Sequence, residues 1–151
     1  MKIYIGADHR GFALKAKIIK TLRAQGHTVA DVGTPNCVKP CDYPKFSMKV
    51  AKSVLHDKGA RGILVCMTGI GHSIAANRFH GIRAALCYNK KAAAFSRAHN
   101  DANVLVLGAS FVSKKEMMAM IKVWLTTPFE GGRHLRRIRQ IDKLQEQGCK
   151  K

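Results

Sequence analysis

The chain has 151 residues, 46% of them hydrophobic, which is enough to build one globular domain over residues 1–151. No apolar run approaches the roughly 18 residues that a membrane span needs, and the first residues lack a secretory signal pattern, so neither a membrane protein nor an exported one is expected. The 27 basic residues outnumber the 9 acidic ones and give a net charge of +18, so the surface should attract phosphates and other anions.

The first half of the chain alternates short apolar runs, typical of buried strands, with segments whose apolar residues recur at helical spacing. The predicted elements are a strand, a helix, a second strand, a turn and a second helix, over residues 3–6, 12–25, 28–32, 33–36 and 44–57. Phe12, Ile18, Ile19 and Leu22 form the expected buried face of the first helix. Pro44 suits the first position of the second helix.

The second half continues the same alternation. Strands are predicted over 62–65, 82–87 and 103–107, and helices over 72–79, 90–98, 114–125 and 133–147. Strands that alternate with helices predict a parallel sheet covered on both faces. The expected fold is therefore a Rossmann-like, doubly wound α/β domain whose five-stranded parallel sheet has helices on both faces.

In such a sheet the carboxyl ends of the strands lie along one edge, where ligands bind. Polar and sulfur side chains that follow predicted strands and should meet at this edge are Asp8, His9, Tyr43, Cys66 and Thr68. His99 and Asn100 instead precede the fifth strand, so they should face the opposite edge within one chain. If they belong to the same site, a second subunit must supply them.

The segment from Cys66 to Gly71 carries the strongest chemical signal. A cysteine ends a buried strand, and a glycine-bearing loop then opens a helix. Backbone N–H groups in such a loop can hold an anion or a developing oxyanion. We expect these groups and nearby cations to lower the pKa of the Cys66 thiol. The loop itself contains no carboxylate, and its cysteine could act as a nucleophile or as a base.

Each of these candidates also has a purely structural interpretation. Cys66 could be a small buried apolar residue, and Asp8 could simply cap the first helix. His9 and His99 each lie beside another polar residue at a predicted strand edge, which favours a functional role. His72 opens a predicted helix near the loop, and its role stays open.

The basic residues do not alternate with aromatic ones as they would in a nucleic-acid stacking platform, so no specific nucleic-acid partner is expected. Arg133 and Arg137 are four residues apart and share one face of the last helix. That spacing suits either a solvated basic helix or a clamp on a phosphate group.

The 5 cysteines are odd in number and irregularly spaced, which predicts free thiols in a reducing, cytoplasmic compartment. Cys37 and Cys41 lie close enough in sequence to suggest half of a metal site. No second pair of cysteines or histidines lies nearby in the sequence, so no metal is expected.

Long motifs across the chain resemble those of the type B ribose-5-phosphate isomerases, the family that also holds the galactose-6-phosphate and allose-6-phosphate isomerases. The matching segments are Gly6–Lys15, Asp42–Pro44, Cys66–Gly71, Ser73–Asn77, Gly81–Ala85, Ser96–Leu105 and Phe129–His134. The resemblance runs from residue 2 to about residue 145.

The resemblance implies an aldose–ketose isomerase, free of metal and cofactor, that interconverts ribose 5-phosphate and ribulose 5-phosphate through an enediolate. Cys66 would be the base that moves a proton between C2 and C1. Thr68 and His99 would assist opening of the furanose ring, with His99 as proton donor and Asp8 as a polar partner.

The resemblance also implies which residues bind the sugar phosphate and how the subunits assemble. Backbone groups that would surround the enediolate belong to Met67, Gly69, Ile70 and Gly71. Tyr43 and Asn100 would bind sugar hydroxyls. The phosphate would be bound by the side chains of His9, Arg133 and Arg137. Members of the family are homodimers or dimers of dimers with shared active sites, and the C-terminal helix would reach the partner subunit.

Two residues depart from the family pattern. Met67 stands where many relatives carry glycine; it is strained if this position needs a positive φ and otherwise narrows the pocket. Ser110 lies in a segment where relatives often carry arginine, so one phosphate ligand is expected to be absent. These departures keep a six-carbon sugar phosphate, such as allose 6-phosphate or galactose 6-phosphate, as an alternative substrate. A non-enzymatic, polyanion-binding protein is a third interpretation, supported by charge alone.

Overall fold

The computed structural model describes residues 1–148, with side chains described as far as residue 144, so Cys149 lies outside the described residues. The elements in chain order are β1 (Lys2–Ala7), α1 (Phe12–Ala24), β2 (Thr28–Asp31), α2 (Pro44–His56), β3 (Arg61–Cys66), α3 (Ile70–Ala76), β4 (Ala84–Cys87), α4 (Lys90–Ala98), β5 (Val104–Gly108), α5 (Lys114–Thr126) and α6 (Gly132–Gly148). No helix among residues 1–148 is both long and apolar enough to cross a membrane.

The five strands form one parallel sheet in the order β2-β1-β3-β5-β4. Strand β1 pairs with β2 on one side and with β3 on the other, so the winding direction changes between β1 and β3. Clefts beyond the carboxyl ends of two such strands are where doubly wound folds bind ligands. The predicted fold class is confirmed.

Side chains alternate between the two faces of the central strands, so each face has its own core. Leu105 and Leu107 join Ile18 of α1 and Met120 of α5 in one cluster, which also contains Trp124. The intervening valines of β5, Val104 and Val106, instead meet Val50 of α2 and Ala76 of α3. Helices therefore cover both faces of the sheet, as the alternation of elements predicted.

Two element boundaries differ from the prediction for local reasons. Helix α3 starts at Ile70 rather than residue 72, because Gly69 adopts a left-handed φ of 81° that turns the chain directly into the helix. Strand β4 starts at Ala84 rather than residue 82. The Asn103 side chain accepts from the Arg83 N–H and donates to the Gly81 carbonyl, which occupies these backbone groups before the strand begins.

The buried face of α1 contains a lysine that the apolar pattern did not predict. Ile18, Ile19 and Leu22 are buried as expected, whereas Phe12 is only half-buried, so its assignment to the core is wrong. Lys15 is 1% exposed. Its ammonium group donates to Asp31 Oδ1 at 2.8 Å and to the carbonyl of Thr34 at 2.7 Å, partners that compensate for the loss of water.

Candidate active site

The loops after β1 and β3 come into contact because residue 11 is glycine. A Cβ atom at Gly11 would lie 2.3 Å from the carbonyl oxygen of Val65, which no side chain allows. The backbone of the first loop therefore passes directly against the end of β3. This approach brings Asp8 beside Cys66.

The Cys66 thiol donates a hydrogen bond to Asp8 Oδ2 at 3.0 Å. The other carboxylate oxygen, Oδ1, accepts the backbone N–H groups of Arg10 and Gly11, each at 3.0 Å, just before α1 begins. Asp8 is buried. The N-cap of α1 is Gly11, which has no side-chain cap, so Asp8 does not cap this helix. Its carboxylate instead closes the turn before the helix and also contacts the sulfur of Cys66.

The expectation that the loop lowers the pKa of Cys66 is wrong. Burial of the half-buried thiol raises its pKa, and the hydrogen bond and negative charge of Asp8 raise it further. The N–H groups of Met67 and Gly69 act in the opposite direction, as predicted, but they are outweighed. The carboxylate that adds to the effect of burial comes from a different loop and is 58 residues away in sequence.

Met67 follows Cys66 without backbone strain. Among residues 1–148, Asp101 is the only non-glycine residue with a positive φ, so Met67 has an ordinary backbone conformation. Its side chain is 42% exposed, and Arg10 Nη1 lies 3.1 Å from its sulfur. Of the two possibilities considered for Met67, backbone strain is therefore excluded, and a side chain that narrows the pocket stays a prediction.

The aromatic ring of Tyr43 lies on the glycine loop. A Cβ atom at Gly71 would be 2.4 Å from Cζ of Tyr43, so only glycine permits this contact. The sequence left the role of His72 open, and this residue is completely buried. Its ring meets the Tyr43 ring edge-on with 5.5 Å between centroids, and its Nδ1 lies 2.6 Å from Ser47 Oγ. Burial lowers the pKa of His72 to about 4, so it is a neutral packing residue behind Tyr43 at neutral pH.

Thr68 and His9 are oriented by the backbone around them. Thr68 Oγ1 accepts the N–H of Ile70 at 3.3 Å, at the exposed start of α3. His9 Nδ1 accepts the N–H of Cys41 at 3.2 Å, which leaves Nε2 as the hydrogen-bond donor of a neutral ring. The Cys41 sulfur lies 3.8 Å from the same nitrogen, so Cys41 contacts a predicted phosphate-binding residue.

A second group of predicted residues surrounds His99, at the end of α4. The His99 ring stacks between Phe95 at 4.7 Å and His134 at 4.3 Å, measured between ring centroids. Glu130 Oε2 lies 3.7 Å from His99 Nε2 and 3.5 Å from His134 Nε2. Arg133 Nε donates to His134 Nε2 at 3.4 Å, which connects the predicted phosphate clamp to this group.

His99, Glu130 and His134 are the donor set that could hold a metal among the described residues, with ligand atoms within 4.8 Å of one another. A histidine binds a metal through a lone pair that lies in the plane of its ring. The two imidazole planes are stacked at an angle of 1°, so they share no point where one ion could meet both lone pairs. The geometry fits two stacked rings beside a shared carboxylate better than it fits a metal centre.

The two groups of residues lie at opposite edges of the sheet, one beyond the carboxyl ends of the parallel strands and the other beyond their amino ends. Cys66 pairs with Gly108 at the carboxyl end of β5, whereas His99 and Asn100 come just before Val104, where β5 begins. Four steps along a strand cover about 13 Å. Within one chain Cys66 and His99 therefore lie beyond opposite ends of β5, as the order of the predicted elements indicated.

The remaining candidates for binding substrate lie on the side of His99. Arg133 and Arg137 are exposed on α6, and Asn100 is exposed just beyond the end of α4. At the other edge, Ser110 is exposed and its N–H donates to the carbonyl of Met67 at 2.9 Å. Sequence reasoning did not single out Arg10, although its position directly after the predicted site residues Asp8 and His9 was a signal.

The chain is similar in sequence to proteins of known function over nearly its whole length. Residues 3–141 match the family model described as Ribose/Galactose Isomerase. Ribose-5-phosphate isomerase B of Escherichia coli is 41% identical over 145 residues, which cover 96% of this chain and 97% of the relative.

Solved structures agree with that match. Ribose-5-phosphate isomerase B of Clostridium thermocellum superposes with a TM-score of 0.94 at 44% identity, over 98% of this chain and 99% of that one. The Mycoplasma genitalium enzyme, solved with bound ribulose-5-phosphate, has a TM-score of 0.92 at 40% identity, and the match covers 96% of each chain. The chain therefore belongs to the ribose/galactose isomerase family.

Proposed function

We propose that residues 1–151 act as one sugar-phosphate isomerase domain that interconverts ribose 5-phosphate and ribulose 5-phosphate. The observation that carries this proposal is the Cys66 thiol, 3.0 Å from Asp8 and at the start of the Met67–Gly71 loop. A base beside donors for a developing oxyanion is what proton transfer next to a carbonyl requires. The relatives named above are ribose-5-phosphate isomerases, and one was solved with the ketose product bound.

Cys66 moves the proton in this proposal. Its thiolate takes the proton from C2 of the open-chain aldose and returns it to C1, while the loop N–H groups hold the enediolate oxygen. In the enediolate the O2 hydroxyl proton passes to O1, so that the carbonyl group moves from C1 to C2. Asp8 accepts the thiol hydrogen bond in the resting site and receives that proton when Cys66 becomes the thiolate. A thiol with a raised pKa is also the stronger base once it is deprotonated. These steps need neither a metal nor a cofactor.

The other predicted residues bind the sugar and open its ring. His99 protonates the ring oxygen as the furanose opens, with Thr68 on the opposite side of the substrate. The groups that hold the substrate are Tyr43 and Asn100 on its hydroxyls, and His9, Arg133 and Arg137 on its phosphate. One histidine and two arginines also suit a dianionic phosphate.

We further propose that the active site forms between two copies of the chain. Ile70 and Ile74 lie one helical turn apart on α3, next to the Cys66 loop, and are 50% and 56% exposed. A groove of about 320 Å³ at the other edge of the sheet is lined by Ile82, Ile138 and Asn100, among others. If α3 of one copy fills this groove on another, each Cys66 loop meets a His99–Asn100 segment, and α6 contributes to the contact.

The cytoplasmic location expected from the sequence remains part of the proposal. Cys37, Cys41, Cys66 and Cys87 are all free thiols, which supports a reducing compartment.

Turnover of ribose 5-phosphate by the purified protein tests the reaction. We expect Cys66→Ala to reduce kcat/KM by about 10²- to 10⁴-fold, the usual contribution of a general base, without loss of folded structure. Cys37→Ala, which removes an exposed thiol, is the matched control and should retain full activity. Undiminished turnover by folded Cys66→Ala protein would refute the proposed mechanism.

A six-carbon sugar phosphate is the second candidate substrate, because the matching family model covers both ribose and galactose isomerases. The Met67 side chain at the mouth of the site favours the shorter sugar. Parallel measurement of kcat/KM for ribose 5-phosphate, allose 6-phosphate and galactose 6-phosphate separates the two. A higher value for either hexose phosphate would reassign the substrate while leaving the isomerase chemistry intact.

A further inference from the structure

The residue directly after His99 and Asn100 has an uncommon backbone conformation. Asp101 has a φ of 44° and is the only non-glycine residue among residues 1–148 in the left-handed region. Aspartate tolerates this conformation better than most residues, but it remains unfavourable and needs support from its surroundings. Such outliers cluster at functional sites, where neighbouring contacts hold them in place.

Those contacts come from two arginines. Arg83 Nη2 donates to Asp101 Oδ2 at 3.0 Å, and its Nε donates to the carbonyl oxygens of Asn100 at 3.0 Å and of Asp101 at 3.1 Å. Arg97 Nη1 donates to Asp101 Oδ1 at 2.7 Å and to the carbonyl of Ala102 at 2.7 Å. Three consecutive carbonyl groups of this loop are therefore held by guanidinium groups.

The Asp101 carboxylate also balances a concentration of positive charge. Arg97 is buried beside the ring of Trp124, with Cζ 5.9 Å from the ring centroid. Burial lowers the pKa of Arg61, and the charges of Arg97 and Arg83 lower it further, while Asp101 opposes them. A single carboxylate thus lies among three guanidinium groups, and a loop placed by this arrangement has little freedom to change conformation.

We propose that Asp101 and Arg83 are positioning residues of the isomerase. By fixing the peptide between Asn100 and Asp101, they aim Asn100 at the sugar hydroxyls and His99 at the ring oxygen of a substrate held by the Cys66 loop of a second copy. This proposal rests on the proposed function. It adds that the loop must be held by the fork of a guanidinium group, and that positive charge alone does not suffice.

Four variants test the idea. Arg83→Lys keeps the charge but loses the planar fork through which Nε and Nη2 reach the two carbonyl groups and the Asp101 carboxylate together. Arg83→Gln removes the charge as well. Asp101→Gly relieves the backbone but removes the carboxylate, and Asp101→Asn keeps the shape. The control is Arg23→Gln. Arg23 lies on α1 and also donates to a backbone carbonyl group, that of Val29, at 2.9 Å.

Two reactions of the same enzyme provide the readout. Isomerisation of ribose 5-phosphate needs ring opening. Exchange of the C1 proton of ribulose 5-phosphate with D₂O, measured at saturating substrate, uses Cys66 and the loop N–H groups without ring opening, because this ketose has no furanose form. We expect both Arg83 variants to lose about 10- to 100-fold in isomerisation kcat/KM, since displacements near 1 Å have effects of this size. Exchange should stay within about threefold of wild type, because the proton-transfer groups are untouched.

The outcomes separate cleanly. Three results would each overturn the proposal. They are wild-type isomerisation by Arg83→Lys, isomerisation by the Arg83 variants equal to that of the Arg23→Gln control, and a loss of C1 proton exchange in proportion to the loss of isomerisation. If Asp101→Asn does not fold, the Arg83 pair, whose side chain is partly exposed, still decides the question. Turnover by Cys66→Ala protein would instead contradict the proposed function itself, so the two failures are distinguishable.

Discussion

The Cys66 sulfur and the Asp8 carboxylate lie 3.0 Å apart, with the thiol as hydrogen-bond donor. The resting site therefore holds the candidate base in its protonated form, next to the group that stabilises that proton. Glycine at residue 11 makes the contact possible, because a side chain there would push the Asp8 loop away from β3. The ionisation of Cys66 therefore depends on how the two loops pack together as well as on the intrinsic acidity of its thiol.

We predict that Asp8→Asn lowers the pKa of Cys66. Loss of the negative charge removes a cause of the raised pKa, and the N–H groups of Met67 and Gly69 then have more influence. The pH midpoint for alkylation of Cys66 by iodoacetamide, followed by mass spectrometry, should move to lower pH. Cys37 alkylation in the same samples is the internal control. A midpoint that stays in place or rises would show that Asp8 does not govern the thiol.

Mixing two inactive variants should restore activity. Cys66→Ala and His99→Ala damage opposite edges of the sheet, so a mixed dimer has one site with both groups intact and one with neither. If subunits assort randomly after joint refolding, about a quarter of wild-type activity should return. Each variant refolded alone provides the baseline, and activity that does not exceed it would exclude sites shared between subunits.

We predict that Met67→Gly widens substrate choice. The methionine side chain is 42% exposed and is expected to narrow the mouth of the loop, and its backbone has no positive φ for glycine to relieve. The ratio of kcat/KM for allose 6-phosphate to that for ribose 5-phosphate should rise, at a stability cost of about 1 kcal/mol. An unchanged ratio would mean that the side chain does not limit the length of the sugar.

His72 should make the fold sensitive to mild acid. Its pKa is about 4 in the folded protein and 6.5 in the unfolded chain, so the unfolded state takes up a proton first as the pH falls. The resulting loss of stability begins near pH 6.5, is complete below pH 4 and amounts to about 3 kcal/mol.

Urea unfolding between pH 4.5 and 7.5 measures this effect. In His72→Leu protein the free energy of unfolding should depend less on pH than in wild type, because the titrating group is gone. Equal pH dependence in the two proteins would show that His72 is not the group responsible.

The sequence predicted the sheet and most of the residues at its edge because those signals are local. Alternation of strands and helices placed Asp8 and Cys66 at one edge and His99 at the other, and the structure agrees. The glycines of the Cys66 loop likewise predicted a tight backbone turn, and Gly69 has the left-handed φ that such a turn needs.

Features that depend on distant contacts were not predictable in the same way. Lys15 has the spacing of a core residue but the chemistry of a surface one, and only Asp31 and Thr34, which come together in the fold, explain its burial. The pKa shift of Cys66 is opposite to the predicted one because the fold buries the thiol and because the carboxylate next to it belongs to another loop. Asp101 reads as an ordinary loop residue until Arg83 and Arg97 are placed around it.

The division of the candidate site between two edges of one sheet has a consequence for how the protein behaves in dilute solution. If the proposed roles hold, each chain contributes its base to one active site and its ring-opening acid to another, and a single chain has no complete site. Specific activity should then fall as the protein is diluted below the dissociation constant of the assembly. For such an enzyme, concentration is itself a regulator.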